Sequence, residues 1–152
     1  RMTGLVEDLL LLARLDNGRA LARAPVDLSR LVVDAVSDAR AAGPDHTWVL
    51  ELPDAPVELV GDDDRLHQVV VNLLGNARAH TPAGSTVIVG LSAEDRSVLV
   101  RVSDDGPGIP AELLPRVFER FARGDGSRSR AAGSTGLGLA IVSAVADAHG
   151  AR

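Results

Sequence analysis

The sequence predicts an α+β protein, a two-layer α/β sandwich in which helices cover one face of a mixed β-sheet. Segments with apolar residues at three- and four-residue steps alternate along the chain with short β-branched runs. The predicted order is helix, helix, strands, helix, strand pair, loop and helix, which is typical of helices laid on one face of a sheet. With 152 residues, 45% of them hydrophobic, the chain is long enough for one core and an appendage.

The composition excludes several classes of function. The chain has no cysteine, and its four histidines have no zinc-site spacing, so we expect any metal to be held by oxygen. A formal net charge of -5 and an aromatic content of 2% argue against nucleic acid as a partner. No apolar run of about 18 residues and no signal peptide is present, so we expect a cytosolic chain or a soluble piece of a larger protein.

The first segment, Arg1 to Arg23, carries an apolar stripe along a helix that we expect to end near Asn17 and Gly18. Nothing caps the start of this helix, and its apolar face is wide. We therefore predict that 1–17 projects as the second half of a longer helix that packs in a bundle between subunits. An ordinary N-terminal helix folded onto the domain is the alternative. A linker with Pro25 then leads to a second helix over 28–42.

Four short β-prone runs follow the two helices. Thr47 to Leu52 and Val57 to Val60 are predicted to form a hairpin or two neighbouring strands. Thr86 to Ser92 and Ser97 to Ser103 are predicted to form an antiparallel pair, whose second strand places Asp104 at its end.

The C-terminal third contains three predicted segments. Glu112 to Phe121 is predicted to be a short helix. The segment from Ala122 to Thr135, rich in Gly, Ser and Arg, is predicted to be a mobile loop. The last predicted helix is apolar and covers 136–149.

A predicted helix over 64–79 carries two asparagines that are spaced to lie on the same side of the helix. Asn72 and Asn76 are four residues apart, so their amides stack one turn above the other on the flank of the apolar face and can point into one cavity. Asp62 to Asp64 supply a cap and negative charge at the positive end of the helix dipole, and Pro82 follows the end of the helix. On this stretch alone, two exposed surface asparagines remain the alternative.

The stretch from Asp104 to Ile109 places a carboxylate at a strand end, followed by Gly106 and Gly108. The glycines allow a sharp turn and close approach of the backbone to a flat ligand. One buried carboxylate accepts a hydrogen bond from the exocyclic amine of adenine but would face an acceptor oxygen of guanine. A plain Asp-Gly turn is the alternative.

Closely spaced glycines between Gly133 and Leu139 lead directly into the last helix. Such a helix N-terminus presents N–H groups and the positive end of the dipole to an anion, which favours phosphate binding. The spacing is neither that of the P-loop nor that of the dinucleotide fold, so a flexible connection is the alternative.

Together, four stretches in this order resemble the catalytic, ATP-binding domain of two-component sensor histidine kinases, within the gyrase, heat-shock chaperone and mismatch-repair type of ATP-binding fold. Asp62 to Pro82 resembles the N box, Asp104 to Ile109 the first glycine box, Val117 to Arg123 the F box, and Gly133 to Leu139 the second glycine box.

The resemblance extends to domain organisation. Arg1 to Asp16 is similar to the end of the dimerisation helix that follows the phosphoacceptor histidine in such kinases. It implies that 1–24 are the end of this helix and a linker, and that 25–152 are the catalytic domain. Because the family continues with two more strands beyond the position of Arg152, we expect the C-terminal strands to be missing.

The resemblance implies ATP and Mg²⁺ as cofactors. Asn76 would coordinate Mg²⁺, and Asn72 would lie beside the triphosphate as a catalytic residue. Asp104 would bind the adenine amine. Arg123, the second catalytic residue, would approach the γ-phosphate, where a cation suits the charge of phosphoryl transfer. The remaining implied binding residues are Gly106, Gly108 and Ile109 in the adenine pocket, and Thr135, Gly136, Leu137, Gly138 and Leu139 at the phosphates.

In the same resemblance, Ala122 to Thr135 would form the ATP lid. Phe118 and Phe121 would anchor this lid, although simple core packing is the stronger interpretation for both.

Three features depart from the family pattern. Ala79 and His80 stand where a Lys-Tyr pair is common, so His80 either contacts ribose or base or is a neutral surface residue. Ser134 replaces a common glycine. No phosphoacceptor box is present.

The implied function is transfer of the γ-phosphoryl group of Mg-ATP to a histidine on a dimerisation domain absent from this chain. The implied partners are that domain of the same kinase, a response regulator and a second copy in the full-length homodimer. The chain would be the cytoplasmic portion of a membrane sensor, reaching the membrane only through a missing N-terminal region. Two alternatives stay open: a hydrolytic ATPase of the same fold, which carries Glu at the position of Asn72, and a non-catalytic nucleotide-sensing module, which Ala79 favours.

Overall fold

A computed structural model describes residues 2–123 and 135–151, the side chain of Met2 excepted. Its elements are α1 (Met2–Asp16), β1 (Ala24–Asp27), α2 (Leu28–Ala42), β2 (Thr47–Glu51), β3 (Glu58–Gly61), α3 (Asp63–His80), β4 (Thr86–Glu94), β5 (Ser97–Asp104), a 3₁₀ helix (Leu114–Arg116) and α4 (Gly138–Ala148). The chain divides into two compact units, Arg23–Gly108 and Arg1–Ala22 with Ile109–Arg152. Among the described helices, none combines the length and the apolar character needed to cross a bilayer.

The unit Arg23–Gly108 confirms the predicted α+β class with a mixed sheet. Its three-stranded sheet has the order β2-β4-β5, with β2 parallel and β5 antiparallel to β4. Helices α2 and α3 pack on each other, and they contact β2 and β5 respectively. The core lies between these helices and the sheet, and is formed by Val26, Leu28, Leu31, Val32, Ala35, Val36, Trp48, Val57, Val70, Leu74, Ala77, Val87, Val89 and Leu91.

The prediction that β2 and β3 form a hairpin or neighbouring strands is wrong. β3 pairs with β1 in a separate two-stranded antiparallel sheet, in which Ala24 lies opposite Gly61. Val57 explains the difference, because its carbonyl accepts from Leu28 N and its N–H donates to Ser29 Oγ, both at 2.9 Å. These bonds hold the start of β3 at the beginning of α2.

Strand β1 itself was not predicted, because Pro25 suggested a linker. A proline is compatible with a two-stranded sheet, in which each strand is an edge and one missing N–H need not break a ladder bond. Val26 supplies the buried position of this strand.

The helices of this unit agree with their periodicity. α2 has the predicted bounds, and its cap residue Asp27 accepts a hydrogen bond from Arg30 N at 3.0 Å. α3 extends the predicted helix by one residue at each end. Asp62 caps it by accepting from Arg65 N at 3.2 Å. Local patterns therefore sufficed for both helices, since a cap and an apolar face are properties of neighbouring residues.

In the unit formed by Arg1–Ala22 and Ile109–Arg152, α1 packs on α4. Leu12 is only 1% exposed, and Ile141 and Val145 of α4 are also buried. The prediction that 1–17 projects as a separate helix is therefore wrong, because α1 packs on α4. Its assignment to the end of a dimerisation helix stays a prediction.

The predicted helix over Glu112 to Phe121 is reduced to the 3₁₀ helix Leu114–Arg116. Pro115 lies in its first turn and cannot donate a backbone hydrogen bond, which disfavours a continuous α-helix here. The last helix begins at Gly138 rather than 136, because Gly136 has φ +72°, outside the right-handed helical region. Most of the predicted mobile loop and ATP lid, including Gly133 and Ser134, lies outside the described residues.

Candidate functional site

Helix α3 carries both asparagines on the flank of its buried face. Asn72 and Asn76 are half-buried, next to the buried Leu74 and Ala77. Four helical residues correspond to a rise of about 6 Å, so the two positions lie one turn apart. Asn72 already takes part in an interaction within the protein. The two amides are therefore placed at the boundary between the core and solvent, where a polar ligand can reach them.

The C-terminal end of α3 is joined to the first glycine box through Thr81. The hydroxyl of Thr81 donates to the carbonyl oxygen of Ala77 at 2.8 Å. Its methyl carbon, Cγ2, faces Gly106, where an added Cβ would lie 2.5 Å from Cγ2 and 3.0 Å from Oδ1 of Asp104. Only glycine fits this position, and the close contact brings the asparagine helix and the Asp104 turn together.

Asp104, the last residue of β5, holds the turn that follows it. Its Oδ1 accepts from Gly106 N at 3.0 Å, while Oδ1 of the neighbouring Asp105 accepts from Thr86 N at 2.8 Å. The prediction that Asp104 is buried is wrong, because the chain leaves the sheet immediately after it and its side chain is exposed. The carboxylate is thus held in position and accessible from solvent.

Gly108 is needed for a different reason from Gly106. It has φ +78°, which side-chain-bearing residues rarely adopt, but a Cβ there would meet no atom within 4 Å. The positive φ, rather than a lack of space, is therefore the reason for glycine at this position. His80, at the end of α3, is exposed, and Ala79 is half-buried.

In the unit that contains α4, the F box and the second glycine box meet at Gly136. Phe121 N donates to the carbonyl oxygen of Gly136 at 2.9 Å. A Cβ on Gly136 would lie 3.0 Å from Cα of Phe121 and 3.4 Å from Nε of Arg123. The expected glycine cluster therefore brings the backbone of one box against the arginine of the other.

The two F-box phenylalanines do not pack in a core. Phe118 and Phe121 are each 56% exposed, so the stronger sequence interpretation of simple core packing is wrong. Phe121 also has φ +60°, a backbone conformation uncommon for residues other than glycine. Lid anchoring stays a prediction.

The N-terminus of α4 has the electrostatic character expected of an anion site. Leu137, at the cap position, is fully buried and provides no side-chain hydrogen bond to the helix end, and the first turn contains no acidic residue. Thr135 Oγ1 accepts from Leu137 N at 3.4 Å. Gly138 and Leu139 are half-buried, so the positive end of the helix dipole remains close to the surface.

Within residues 2–123 and 135–151, no group of three or more His, Cys, Asp or Glu residues is arranged to hold a metal ion. Asn76 offers one neutral amide oxygen. This donor set does not fit a free-standing metal site, but it fits a magnesium ion that arrives with phosphate oxygens already bound, as Mg²⁺ commonly does in nucleotide sites.

The predicted site residues fall into the two units. The unit Arg23–Gly108 contains Asn72, Asn76, His80, Asp104, Gly106 and Gly108, and the other contains Ile109, Arg123, Thr135, Gly136, Leu137, Gly138 and Leu139. In the first unit, Thr81 brings the end of the asparagine helix close to Gly106 and Asp104. In the second unit, Gly136 lies close to Arg123.

Sequence reasoning missed Thr81 and His46. The hydroxyl of Thr81 contacts Nε2 of His46 at 2.8 Å across 35 positions of sequence. The position of Thr81, between α3 and Pro82, is a local signal for a helix end. His46 offered no local signal, because its partner is distant in the chain.

A mixed-sheet α+β fold with an asparagine-bearing helix, a carboxylate-glycine turn and a glycine-flanked helix N-terminus is compatible with a nucleotide-binding domain. Residues 61–152 match the family described as "Histidine kinase-, DNA gyrase B-, and HSP90-like ATPase". The chain therefore belongs to this ATPase family.

The chain is similar to several sensor kinases. It is 68% identical over 149 residues to "Probable sensor histidine kinase TcrY" of Mycobacterium tuberculosis (strain ATCC 25618 / H37Rv), covering 98% of this chain and 31% of the relative. The chain thus spans about a third of that curated relative's length.

Two solved structures show the same fold. "Crystal structure of ShkA full-length in complex with AMPPNP" matches with a TM-score of 0.80 and 33% identity, over 98% of this chain and 31% of that one. "Mycobacterial sensor histidine kinase MprB" matches with a TM-score of 0.73 and 32% identity, over 85% of this chain and 81% of that one.

Proposed function

We propose that this chain is the ATP-binding catalytic part of a sensor histidine kinase and transfers the γ-phosphoryl group of Mg-ATP to a histidine on a dimerisation domain. The observation that carries the proposal is the contact of Thr81 with Gly106, which joins the asparagine helix to the Asp104 turn. The residues proposed for the two ends of the nucleotide, Asn72 and Asn76 at the phosphates and Asp104 at the base, therefore belong to neighbouring elements of one unit.

Asp104 is the proposed determinant of the base. Its Oδ1 is occupied by Gly106 N, whereas Oδ2 makes no hydrogen bond to any described part of the chain. An exposed carboxylate oxygen in a fixed position accepts a hydrogen bond from the amine of adenine and repels the carbonyl oxygen of guanine. The presence of AMPPNP in the ShkA structure supports an adenine nucleotide as the ligand of this fold.

In the unit Arg23–Gly108 we assign Asn72 and Asn76 to the phosphate end of the nucleotide. In the other unit the proposed phosphate-binding groups are Arg123 and the N-terminus of α4. The amide oxygen of Asn76 would be a ligand of a magnesium ion brought by ATP, which neutralises part of the phosphate charge when bound. Asn72 would lie beside the triphosphate, and Arg123 would offset the negative charge of the γ-phosphoryl group during transfer. Thr135 to Leu139 would hold the phosphates through backbone N–H groups.

Asn72 supports transfer rather than hydrolysis. Its amide does not accept a proton near neutral pH, so it cannot activate water as a general base. A hydrolytic ATPase of this fold would need a carboxylate at that position. Ala79 stands where the family commonly has a lysine, so one cation that would face the phosphates is missing. This feature favours a nucleotide-sensing module without transfer.

The remaining assignments follow from the kinase proposal. We assign 1–24 to the end of the dimerisation helix and its linker, and 25–152 to the catalytic domain. The acceptor would be the dimerisation domain of the same kinase, present twice in a homodimer, and the phosphoryl group would pass on to a response regulator. The chain would then be the cytoplasmic part of a membrane sensor.

The test is phosphoryl transfer from labelled ATP. The chain alone should remain unlabelled, and it should label a supplied histidine-bearing dimerisation domain slowly, because the two parts are not tethered. Asn76→Ala should abolish the transfer, whereas Asn17→Ala, which changes an exposed asparagine outside the site, should leave it intact.

Three results would contradict the proposal. Hydrolysis of ATP to free phosphate without labelling of the acceptor would identify an ATPase. Binding of ATP with neither hydrolysis nor transfer would identify a sensing module. Stoichiometric labelling of a histidine in this chain would show that the acceptor lies here.

A further inference from the structure

His46, directly before β2, is a nearly buried imidazole with both ring nitrogens engaged. Its side chain is 4% exposed. Nδ1 lies 3.0 Å from Oδ1 of Asp45, and Nε2 lies 2.8 Å from Oγ1 of Thr81. The ring also lies beside Trp48, with 6.1 Å between ring centroids. The imidazole is therefore held from several directions, although it is not one of the residues proposed to contact the nucleotide.

Thr81 connects this imidazole to the glycine turn. Its Oγ1 contacts His46 and Ala77, so the rotation of the side chain is restrained and Cγ2 is held against Gly106. Gly106 N in turn donates to Oδ1 of Asp104. A continuous series of contacts thus runs from His46 through Thr81 and Gly106 to the carboxylate of Asp104.

We propose that His46 is a positioning residue for the adenine-recognising carboxylate: it orients Thr81, which sets the position of Gly106 and thereby of Asp104. The inference rests on the proposed nucleotide site and names one determinant of its base specificity. His46 itself does not touch the nucleotide. It acts by limiting the movement of the group that does, which raises the affinity for a base whose amine must meet Asp104.

Proton counting shows that the contacts around His46 are complete only with a charged imidazole. Three contacts need a proton: Nδ1 to Asp45, Nε2 to Thr81, and Oγ1 to the Ala77 carbonyl. The carbonyl and an ionised carboxylate only accept, and the Thr81 hydroxyl has one proton, which it donates to Ala77. A neutral imidazole adds one proton and leaves one contact unfilled, whereas an imidazolium adds two.

The charges around this group are mixed. Asp45 lies beside Nδ1, and the hydrogen bond from His46 is the main cause of the lowered pKa of Asp45. Arg78 of α3 also acts on Asp45, Arg40 of α2 donates to the carbonyl oxygen of Trp48, and Asp104 lies beyond Gly106.

Variants of His46 and Thr81 separate the contacts. His46→Leu keeps an apolar volume near Trp48 but removes both nitrogens, while His46→Gln restores a donor toward Thr81. Thr81→Val keeps the methyl contact with Gly106 and removes the hydroxyl. Thr3→Val, on the exposed surface of α1, is the matched control.

The first readout is nucleotide affinity by calorimetry. His46→Leu and Thr81→Val should each weaken ATP binding about fivefold, the effect of one ordinary hydrogen bond, with tripolyphosphate affinity unchanged. Because the two residues act in one series, the double variant should lose little more than either single variant. His46→Gln should recover most of the affinity, because its amide can donate to Thr81 again.

The second readout needs no nucleotide. The NMR amide resonance of Gly106, whose N–H donates to Asp104, should move in His46→Leu and return most of the way to its original position in His46→Gln. Thr3→Val should behave like the unaltered chain in both experiments.

The outcomes distinguish this inference from the proposed function. If the unaltered chain binds no ATP but the Gly106 resonance responds as expected, the nucleotide assignment fails and the positioning series stands. If ATP binds and neither its affinity nor the Gly106 resonance changes in His46→Leu and Thr81→Val, the positioning role of His46 is overturned. An equal loss of ATP and tripolyphosphate affinity would also overturn it, because it would show a general effect on the fold.

Discussion

Asp16, at the end of α1, forms an ion pair with Arg120 of the F box, 104 positions further along the chain. Both side chains are about half exposed, so this pair is expected to contribute at most about 1 kcal/mol. The adjacent Leu12 is almost fully buried, which makes apolar burial the larger contribution to the packing of α1.

Truncation of Leu12 should therefore destabilise the protein more than removal of the ion pair. We expect Leu12→Ala to lower the free energy of unfolding by about 2–4 kcal/mol and Asp16→Asn to lower it by less than about 1 kcal/mol. The control is Leu10→Ala, since Leu10 is 51% exposed on the same helix. Denaturant unfolding followed by circular dichroism measures all three. Equal losses for Leu10→Ala and Leu12→Ala would show that α1 does not pack as described.

Substitution of Asp104 tests base recognition. Asp104→Asn should reduce ATP affinity about tenfold or more, because an amide can present a donor to the amine of adenine where the carboxylate accepts. Calorimetry with ATP and GTP is the measurement, and Asp95→Asn in the turn between β4 and β5 is the control. Equal affinity of the unaltered chain for the two nucleotides would rule out the adenine pocket.

Gly106 and Gly108 should respond differently to alanine. Gly106→Ala places a Cβ 2.5 Å from Cγ2 of Thr81, and we expect the added Thr81→Ser, which removes that methyl group and keeps the hydroxyl, to recover stability. Gly108→Ala meets no atom but must adopt φ +78°, at a cost of about 1–2 kcal/mol that Thr81→Ser does not relieve. Thermal unfolding of the single and double variants measures this difference. Recovery of both variants by Thr81→Ser would contradict it.

The hydrogen bond between Asp45 and His46 gives the stability a definite pH dependence. The hydrogen bond from His46 lowers the pKa of Asp45 below its ordinary value of 3.8. A group with a depressed pKa in the folded state stabilises the protein above its unfolded pKa, and this contribution is lost as the pH falls through the folded value. Asp45→Asn should therefore lower stability at pH 6 and make it less dependent on pH below about 4. Denaturation across this range tests the sign, and an unchanged pH profile would disagree with it.

Arg123 should affect the reaction more than binding. If its guanidinium acts mainly on the charge of the transferring group, Arg123→Ala should reduce the transfer rate by at least about tenfold while ATP affinity falls less. Single-turnover transfer to a supplied acceptor domain and equilibrium binding separate the two effects. The matched control is Arg96→Ala, in the exposed turn after β4. A parallel loss of rate and affinity would make Arg123 a binding residue only.

The local patterns of the sequence identified the asparagine helix α3, the two helices α1 and α2 that precede it, and the antiparallel pair of β4 and β5. Helix caps and apolar periodicity depend on residues within a few positions, and the predicted bounds of α2 agree with the structure for that reason. The failures were of another kind. The β-propensity of β2 and β3 identified strands without their partners, and Pro25 concealed β1.

By itself, the sequence determined the α+β class, the asparagine pair on one helix flank, the glycine-rich turns and the family to which the chain belongs. Only the tertiary structure decided that β3 pairs with β1, that α1 packs on α4, and that His46 reaches Thr81 beside Gly106. These contacts join residues far apart in the chain, so they depend on how the elements pack around their cores. A pattern confined to neighbouring residues has no information about that packing.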